Sequence, residues 1–453
     1  MADSMNRNVL TDREKFIRTK QAGGCSGDGM RCDSDSVSGS VSQRACVYCG
    51  ARVVLNPITD AYHIVHGPIG CSSYTWDIRG SLTSGEDVFR NSFCTDLRET
   101  DIIFGGAQKL TDAIEELVLV QSPKLIFVYS TCIVGVIGDD VDAVCRLMSE
   151  KHSIPVIPVK SPGFSGNKST GYKMACDAIM QLLKPHQTTQ KVKGVNILGD
   201  YNLAGEMWII KNYLDMIGIP VVSSFTGDAS YEEMIKATKA SLNVVQCAGS
   251  STYLANQMEA EFDIPYIKVS FFGVEDTTSS LLRIAEAFGD EEARAKAAAF
   301  CLREGRKAEL FIEKYKKNLE GKKAAIYVGG GFKAISLIRQ FNAIGMKTVV
   351  VGTQTGKKED YELIESLVDE DTVILDDANP AELEAFMKEK GADILVGGVK
   401  ERPLAYKLAV AFCDHNHERK HALAGFEGIY NFVLEINESI NSPVWEYAKE
   451  GGL

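Results

Sequence analysis

No apolar run in this 453-residue chain approaches the roughly 18 residues that a membrane span requires. The start, MADSMNRNVLTDREKFIRTK, is polar and lacks the apolar core of a secretory signal. Positive charge is in deficit: 49 Lys and Arg face 61 Asp and Glu, giving a net charge of −12. A nucleic-acid binder normally carries a basic surface, so that class falls away. Cys46 and Cys49 form a C-x2-C, but no matching pair follows at ribbon spacing, so a zinc ribbon lacks its second half. These absences together point to a cytoplasmic protein with no membrane and no nucleic-acid partner.

What is present is ordinary globular composition, with 45% hydrophobic and 24% charged residues, which excludes disordered and collagen-like chains. The length predicts two to four domains. Twelve cysteines are spread along a chain too long to need disulfide stapling. With no export signal they read as reduced thiols, some ligating metal and some simply buried.

Residues 1–45 are rich in Ser, Gly and Asp and read as an irregular arm, within which Cys25 and Cys32 are either a metal tether or, the reading favoured, free thiols. From residue 101 short Val- and Ile-rich runs alternate with stretches of helical length. The runs fall in three groups: DIIFGG, KLIFVYS and IPVIPVK; then GVNILGD, IPVVSSF, NVVQC and YIKVSFF; then AAIYVGG, TVVVGT, TVILDD and ADILVGG. Continuous apolar runs separated by helices indicate parallel strands covered on both faces. A charged stretch over 291–323 reads as a long solvated helix. The expectation is an α/β protein of three Rossmann-like, doubly wound parallel-sheet domains, over 46–190, 191–320 and 321–453.

Ligands in such sheets sit beyond the carboxyl ends of the strands. Cys132 directly follows KLIFVYS, Cys247 ends NVVQC, and Cys71 closes the glycine turn HGPIGC. Cys145, Cys176 and Cys301 lie mid-helix by pattern and read as packing thiols. Cys46, Cys71 and Cys132 make a dispersed set of three thiolates, which suits an iron–sulfur cluster. Three ligands are one short of four, which hints that a second chain supplies the last. Gly329, Gly330 and Gly331 end a strand and open a helix, so their N–H groups could face an anion, although GxGxxG or P-loop spacing is lacking. His63 and His66 read as structural hydrogen-bonders, and His415, His417 and His421 as either a metal site or a solvated loop.

Several segments are familiar in order and over nearly the whole chain, from about Cys46 to Trp445. They are AYHIVHGPIGCSSYTWDIRG (61–80), TDLRETDIIFGGAQKL (95–110), VYSTC with IGDDVDAVC, and SPGFSGNKSTGY (161–172). They resemble the nitrogenase component 1 superfamily, and LGDYNLAGEMW (198–208) resembles a segment of its cofactor-assembly scaffold branch. The resemblance implies three Rossmann-like domains around a central cofactor cleft. It implies that Cys46, Cys71 and Cys132 hold a 4Fe–4S cluster completed by a NifN-type partner subunit, in an α2β2 heterotetramer. Cys247 would anchor the iron–sulfur precursor of the iron–molybdenum cofactor. That precursor would come from a NifB-derived donor, gain molybdenum and homocitrate through transient contact with NifH, and pass to apo-nitrogenase.

The resemblance also brings rivals: the nitrogenase α subunit and macrocycle reductases of the same superfamily. The α subunit uses a histidine as second cofactor ligand, whereas Asp414, Asn416 and Glu418 match the scaffold's D-x-N-x-E pattern. It also has a histidine near the position of Tyr172 and an arginine at that of Gly249. Cys247 counts against the macrocycle reductases. The implied role is a scaffold with no catalytic residue, in which Arg79, Lys333 and Gly329–Gly331 face a negatively charged cluster. Cys49 stands where the family has a non-ligating residue, and is either a bystander or an alternative to Cys46.

Overall fold

The computed structural model describes residues 11–21, 30–32, 45–76, 81–85, 88–246, 248–416 and 418–450. The chain forms two compact units: Ala45–Val269 with Ser280–Ala298, and Ala299–Leu453 with Met1–Arg44 and Ser270–Ser279. Among the described residues no helix is long and apolar enough to cross a membrane.

The first strand, β1 (Ile17–Thr19), belongs to the second unit and is taken up with it below. The first unit holds two four-stranded parallel sheets of the same topology. One contains β2 (Ala61–His66), β3 (Ser92–Cys94), β4 (Leu125–Ser130) and β5 (Val156–Lys160), in the order β3-β2-β4-β5. The other contains β6 (Val195–Asp200), β7 (Val221–Thr226), β8 (Leu242–Val245) and β9 (Tyr266–Lys268), in the order β7-β6-β8-β9. In each, the chain winds outward in both directions from a central pair, so the connections leave a crevice between β2 and β4, and between β6 and β8. Every residue of β4 and β6 is buried, as strands covered on both faces must be.

The second unit has one six-stranded sheet. Its parallel strands are β10 (Lys323–Val328), β11 (Lys347–Thr353), β12 (Val373–Asp376), β13 (Ile394–Gly397) and β14 (Ala411–Asp414). The order β12-β11-β10-β13-β14 reverses at β10 and β13, and β1 adds antiparallel to β12 at the edge. Arg13 fixes that edge strand, because its guanidinium is buried against Glu382 at 3.0 Å and donates to the Asp376 carbonyl at 2.7 Å. The architecture is thus the α/β, parallel-sheet one that the alternating runs implied.

One expected strand is a helix. DIIF lies in the helix Glu99–Phe104, which begins with Asp101 accepting the Arg98 N–H at 2.8 Å. No residue of this helix is buried, and Phe104 is 86% exposed. The β-branched run therefore found no sheet to join, and a local cap decided the conformation. The central strand β2 was not among the expected strands, because His63 and His66 interrupt its apolar run. Cys145, Cys176 and Cys301 are buried in helices, as their pattern implied.

Candidate metal centre

The crevice between β2 and β4 is where three of the proposed ligands meet. The chain turns off β2 at Gly67, where a Cβ would lie 2.1 Å from Thr131 Oγ1, so only glycine fits. Thr131 follows β4 and ties back to the His66 carbonyl through both its N–H (3.2 Å) and its hydroxyl (3.0 Å). This clasp holds the two strand ends together. One continues into the helix Ile69–Trp76 carrying Cys71, the other into the helix Cys132–Ile137.

Cys46 arrives by a different route. It precedes the helix Val47–Leu55, which packs on the helix Lys168–Leu183 through facing glycines. A Cβ on Gly171 would lie 2.0 Å from the Val47 carbonyl oxygen, and one on Gly50 2.1 Å from that of Lys168. Backbone meets backbone, and the loop leading into the second helix is drawn against Cys46. Gly163 in that loop donates its N–H to Cys132 Sγ at 3.1 Å. A Cβ there would sit 3.0 Å from the same sulfur and 3.8 Å from Cys46 Sγ.

Burial pushes the Cys71 thiol up, and the charges that Cys132, Cys46 and Cys94 would carry push it the same way. The three thiols of the sequence reading are therefore neighbours, all unbridged, with Cys132 exposed and the other two half-buried. Clustered thiols favour a cation that takes up several thiolates at once. Gly163, whose missing side chain leaves room between two sulfurs, fits a bulky inorganic group there.

Cys94 is a fourth thiol that the sequence reading passed over. It ends β3, contacts the Gly67 carbonyl at 3.5 Å and accepts the Asp96 N–H at 3.3 Å, so it braces the turn before Cys71. Cys49 is buried at 4% exposure inside the helix, apart from the open end where Cys46 lies. His63 bonds Tyr129 at 2.9 Å, and His66 bonds Thr95 at 3.1 Å and Asp139 at 3.2 Å. Both histidines are structural, and burial lowers the pKa of each.

Cys247 and Arg79 lie outside the described residues, as do Cys25 and His417. The residues flanking Cys247 are placed at the second crevice. Gln246 leaves β8 and donates to Asp200 at the end of β6, 3.1 Å away. Asn202, at φ +50°, accepts the Met207 N–H at 3.1 Å and donates to the Leu82 carbonyl at 2.7 Å. LGDYNLAGEMW thus builds the rim of that crevice from buried polar contacts, a role its motif alone did not disclose.

In the second unit Gly329 and Gly330 follow β10, where a Cβ on either would meet nothing within 4 Å among the described residues. Gly331 differs, because Asp360 would be 2.4 Å from its Cβ. Lys333, in the helix Gly331–Ala343, lies 5.9 Å above the Phe272 ring. Asn416 follows β14 against Gly398, whose Cβ would be 2.6 Å from Asn416 Nδ2. Glu401 accepts the Gly398 N–H at 2.7 Å, and burial pushes its carboxyl up to about 7. Nothing in the sequence had marked Glu401.

Residues 46–441 match the family model described as nitrogenase component 1 type oxidoreductase. The chain is 66% identical over 445 residues to the nitrogenase iron-molybdenum cofactor biosynthesis protein NifE of Clostridium pasteurianum, covering 98% of this chain and 97% of that one. The NifE protein of Methanosarcina barkeri is 50% identical and covered to 98% on both sides. The chain belongs to the NifE family of nitrogenase component 1 proteins. The NifE family shares its fold with nitrogenase itself. The solved structure of nitrogenase Cp1 at pH 6.5 superposes with a TM-score of 0.88 at 29% identity, covering 96% of each chain. A second Cp1 structure, at pH 5, gives 0.87 at 31% identity, covering 96% of this chain and 95% of the other. Membership of the NifE family turns the balance between scaffold and nitrogenase α subunit to the scaffold side.

Proposed function

We propose that this chain is the α-type subunit of a scaffold on which the nitrogenase iron–molybdenum cofactor is assembled. The observation that carries the proposal is the convergence of Cys46, Cys71 and Cys132 in a chain so similar, end to end, to NifE proteins. These thiolates hold a 4Fe–4S cluster, whose chemistry is one-electron transfer. The fourth ligand comes from a NifN-type partner in an α2β2 heterotetramer. In support, Ile69, Val136 and Phe164 stand 57%, 74% and 64% exposed, each on the same short segment as Cys71, Cys132 or Gly163. Apolar side chains around a thiol cluster suit a surface that another subunit covers.

The cargo of the scaffold is an iron–sulfur precursor supplied by a NifB-derived donor. Cys247 is its thiolate anchor. Asn416 is a weak second contact, since a neutral amide binds iron poorly beside an imidazole. Gly329, Gly330, Gly331, Lys333 and Arg79 favour a negatively charged cluster. NifH brings molybdenum and homocitrate, and apo-nitrogenase receives the product. One strong anchor with a weak counterpart allows both retention and release.

The test is Cys247→Ala in the chain purified with its partner. Precursor iron should be lost while the Cys46, Cys71 and Cys132 cluster stays. Asn416→His should lengthen retention and slow transfer to apo-nitrogenase. Precursor held equally well without Cys247 refutes the assignment.

A further inference from the structure

Cys413 is the last cysteine of the chain, and nothing in the proposed scaffold role uses it. It lies on β14, two residues before His415, so both side chains leave the same side of the extended backbone. That side faces the helix Gly425–Ile440, on which Phe432, Glu435 and Ser439 recur at helical spacing. The Cys413 sulfur, a ring nitrogen of His415 and a carboxylate oxygen of Glu435 all lie within 4.8 Å of one another. His415 Nε2 is 3.5 Å from Glu435 Oε2, and its ring packs 5.6 Å from that of Phe432. The Cys413 thiol has Ser439 Oγ at 3.3 Å.

His415 has no solvent exposure; its Nδ1 has no hydrogen-bond partner among the described residues, and its Nε2 has only the 3.5 Å approach of Glu435 Oε2. Buried polar atoms in native proteins are nearly always bonded, and a fully buried imidazole with one bare nitrogen and one long contact calls for a missing ion or water. The neighbours decide between these. A sulfur and a carboxylate beside an imidazole are the donors of zinc and ferrous sites. Glu435 also lines an open groove of about 450 Å³ with Asp414, Arg419 and His421, which gives an ion a way in.

We propose that Cys413, His415 and Glu435 bind a single divalent zinc or ferrous ion, distinct from the clusters of the scaffold role. The ion joins the end of β14 to the helix behind it and so fixes the backbone that presents Asn416. Binding replaces the thiol proton: the S–H bond breaks, the metal–sulfur bond forms, and the proton leaves to solvent. No electron changes hands.

Cobalt(II) is the probe, added to the full-length chain after chelation of all metal. The wild type should bind one more tight equivalent, with a sulfur-to-cobalt absorption band, than Cys413→Ser. Glu435→Gln, at a half-buried position, should fold and bind that equivalent at least tenfold more weakly. Zinc should raise the melting temperature of the wild type more than that of Glu435→Gln. Equal stoichiometry, band intensity and zinc response in wild type and Glu435→Gln would overturn the site, even if Cys413→Ser fails to fold. Cys46, Cys71, Cys132 and Cys247 are intact in every variant, so their own metal binding cancels in the comparison.

Discussion

Gly163 donates its backbone N–H to Cys132 Sγ over 3.1 Å, and the place of its absent side chain faces the sulfurs of both Cys132 and Cys46. A loop glycine thus couples a thiol at the end of a central strand to one at the start of a distant helix. The hydrogen bond holds the Cys132 sulfur against the loop that also lies beside Cys46.

Gly163→Ala puts a methyl group 3.0 Å from Cys132 Sγ and 3.3 Å from Cys46 Cβ. Cluster iron per chain should fall severalfold in the purified complex, while the circular dichroism and urea midpoint stay close to wild type. Iron content unchanged from wild type would remove Gly163 from the site.

Gly171→Ala acts earlier in the chain of causes. Its methyl group meets the Val47 carbonyl oxygen at 2.0 Å, and backbone cannot move aside as a side chain does. Overpacking of this kind costs about 1–3 kcal/mol. The urea midpoint should drop accordingly, and cluster occupancy should fall with it, because the crossing of the two helices sets the position of Cys46. A variant as stable as wild type would show that the crossing has slack.

Glu401 makes a pH prediction. Its folded pKa of about 7 lies above the unfolded carboxylate value, so the folded state is favoured while the group stays protonated. That contribution is complete below the unfolded pKa and is lost as pH rises through about 7. One unit is worth about 1.4 kcal/mol, so the loss over the window is on the order of 3 kcal/mol. Glu401→Gln keeps an acceptor for the Gly398 N–H and removes the titration. The stability difference between variant and wild type should therefore grow in the variant's favour from about pH 4.5 to pH 7.5. A difference independent of pH would contradict the burial argument.

Lys333→Glu reverses a charge beside the Gly329 and Gly330 turn. Loading of the iron–sulfur precursor onto the complex should fall several-fold, with no change in the melting temperature beyond a degree or two. Unchanged loading would refute the role given to this lysine.

Much of this was legible in the sequence because parallel strands leave a plain trace. β4, β6 and β10 are largely apolar and, but for Lys323, buried throughout, and the cysteines that follow strands stood out against those in helices. What stayed hidden depends on contacts distant in sequence. The order of strands that opens a crevice between β2 and β4 has no local signature. The Gly50–Gly171 crossing looks like two ordinary helical glycines until the helices are seen to touch. DIIF read as a strand because its residues favour one, and only the Arg98–Asp101 cap and the lack of a neighbouring strand made it a helix. Cys413, His415 and Glu435 could not be joined by reading, because 20 residues separate the last two.

The most direct measurement is iron content and electron paramagnetic resonance of this chain, alone and with its co-expressed partner, as wild type and as Cys71→Ala. The wild-type complex should carry a reducible iron–sulfur cluster. The isolated chain should not hold it at full occupancy, and Cys71→Ala should lose the signal together with much of the heterodimer. A stable, fully occupied 4Fe–4S cluster in the isolated chain, or a Cys71→Ala complex with the signal intact, would contradict the shared cluster and with it the scaffold account.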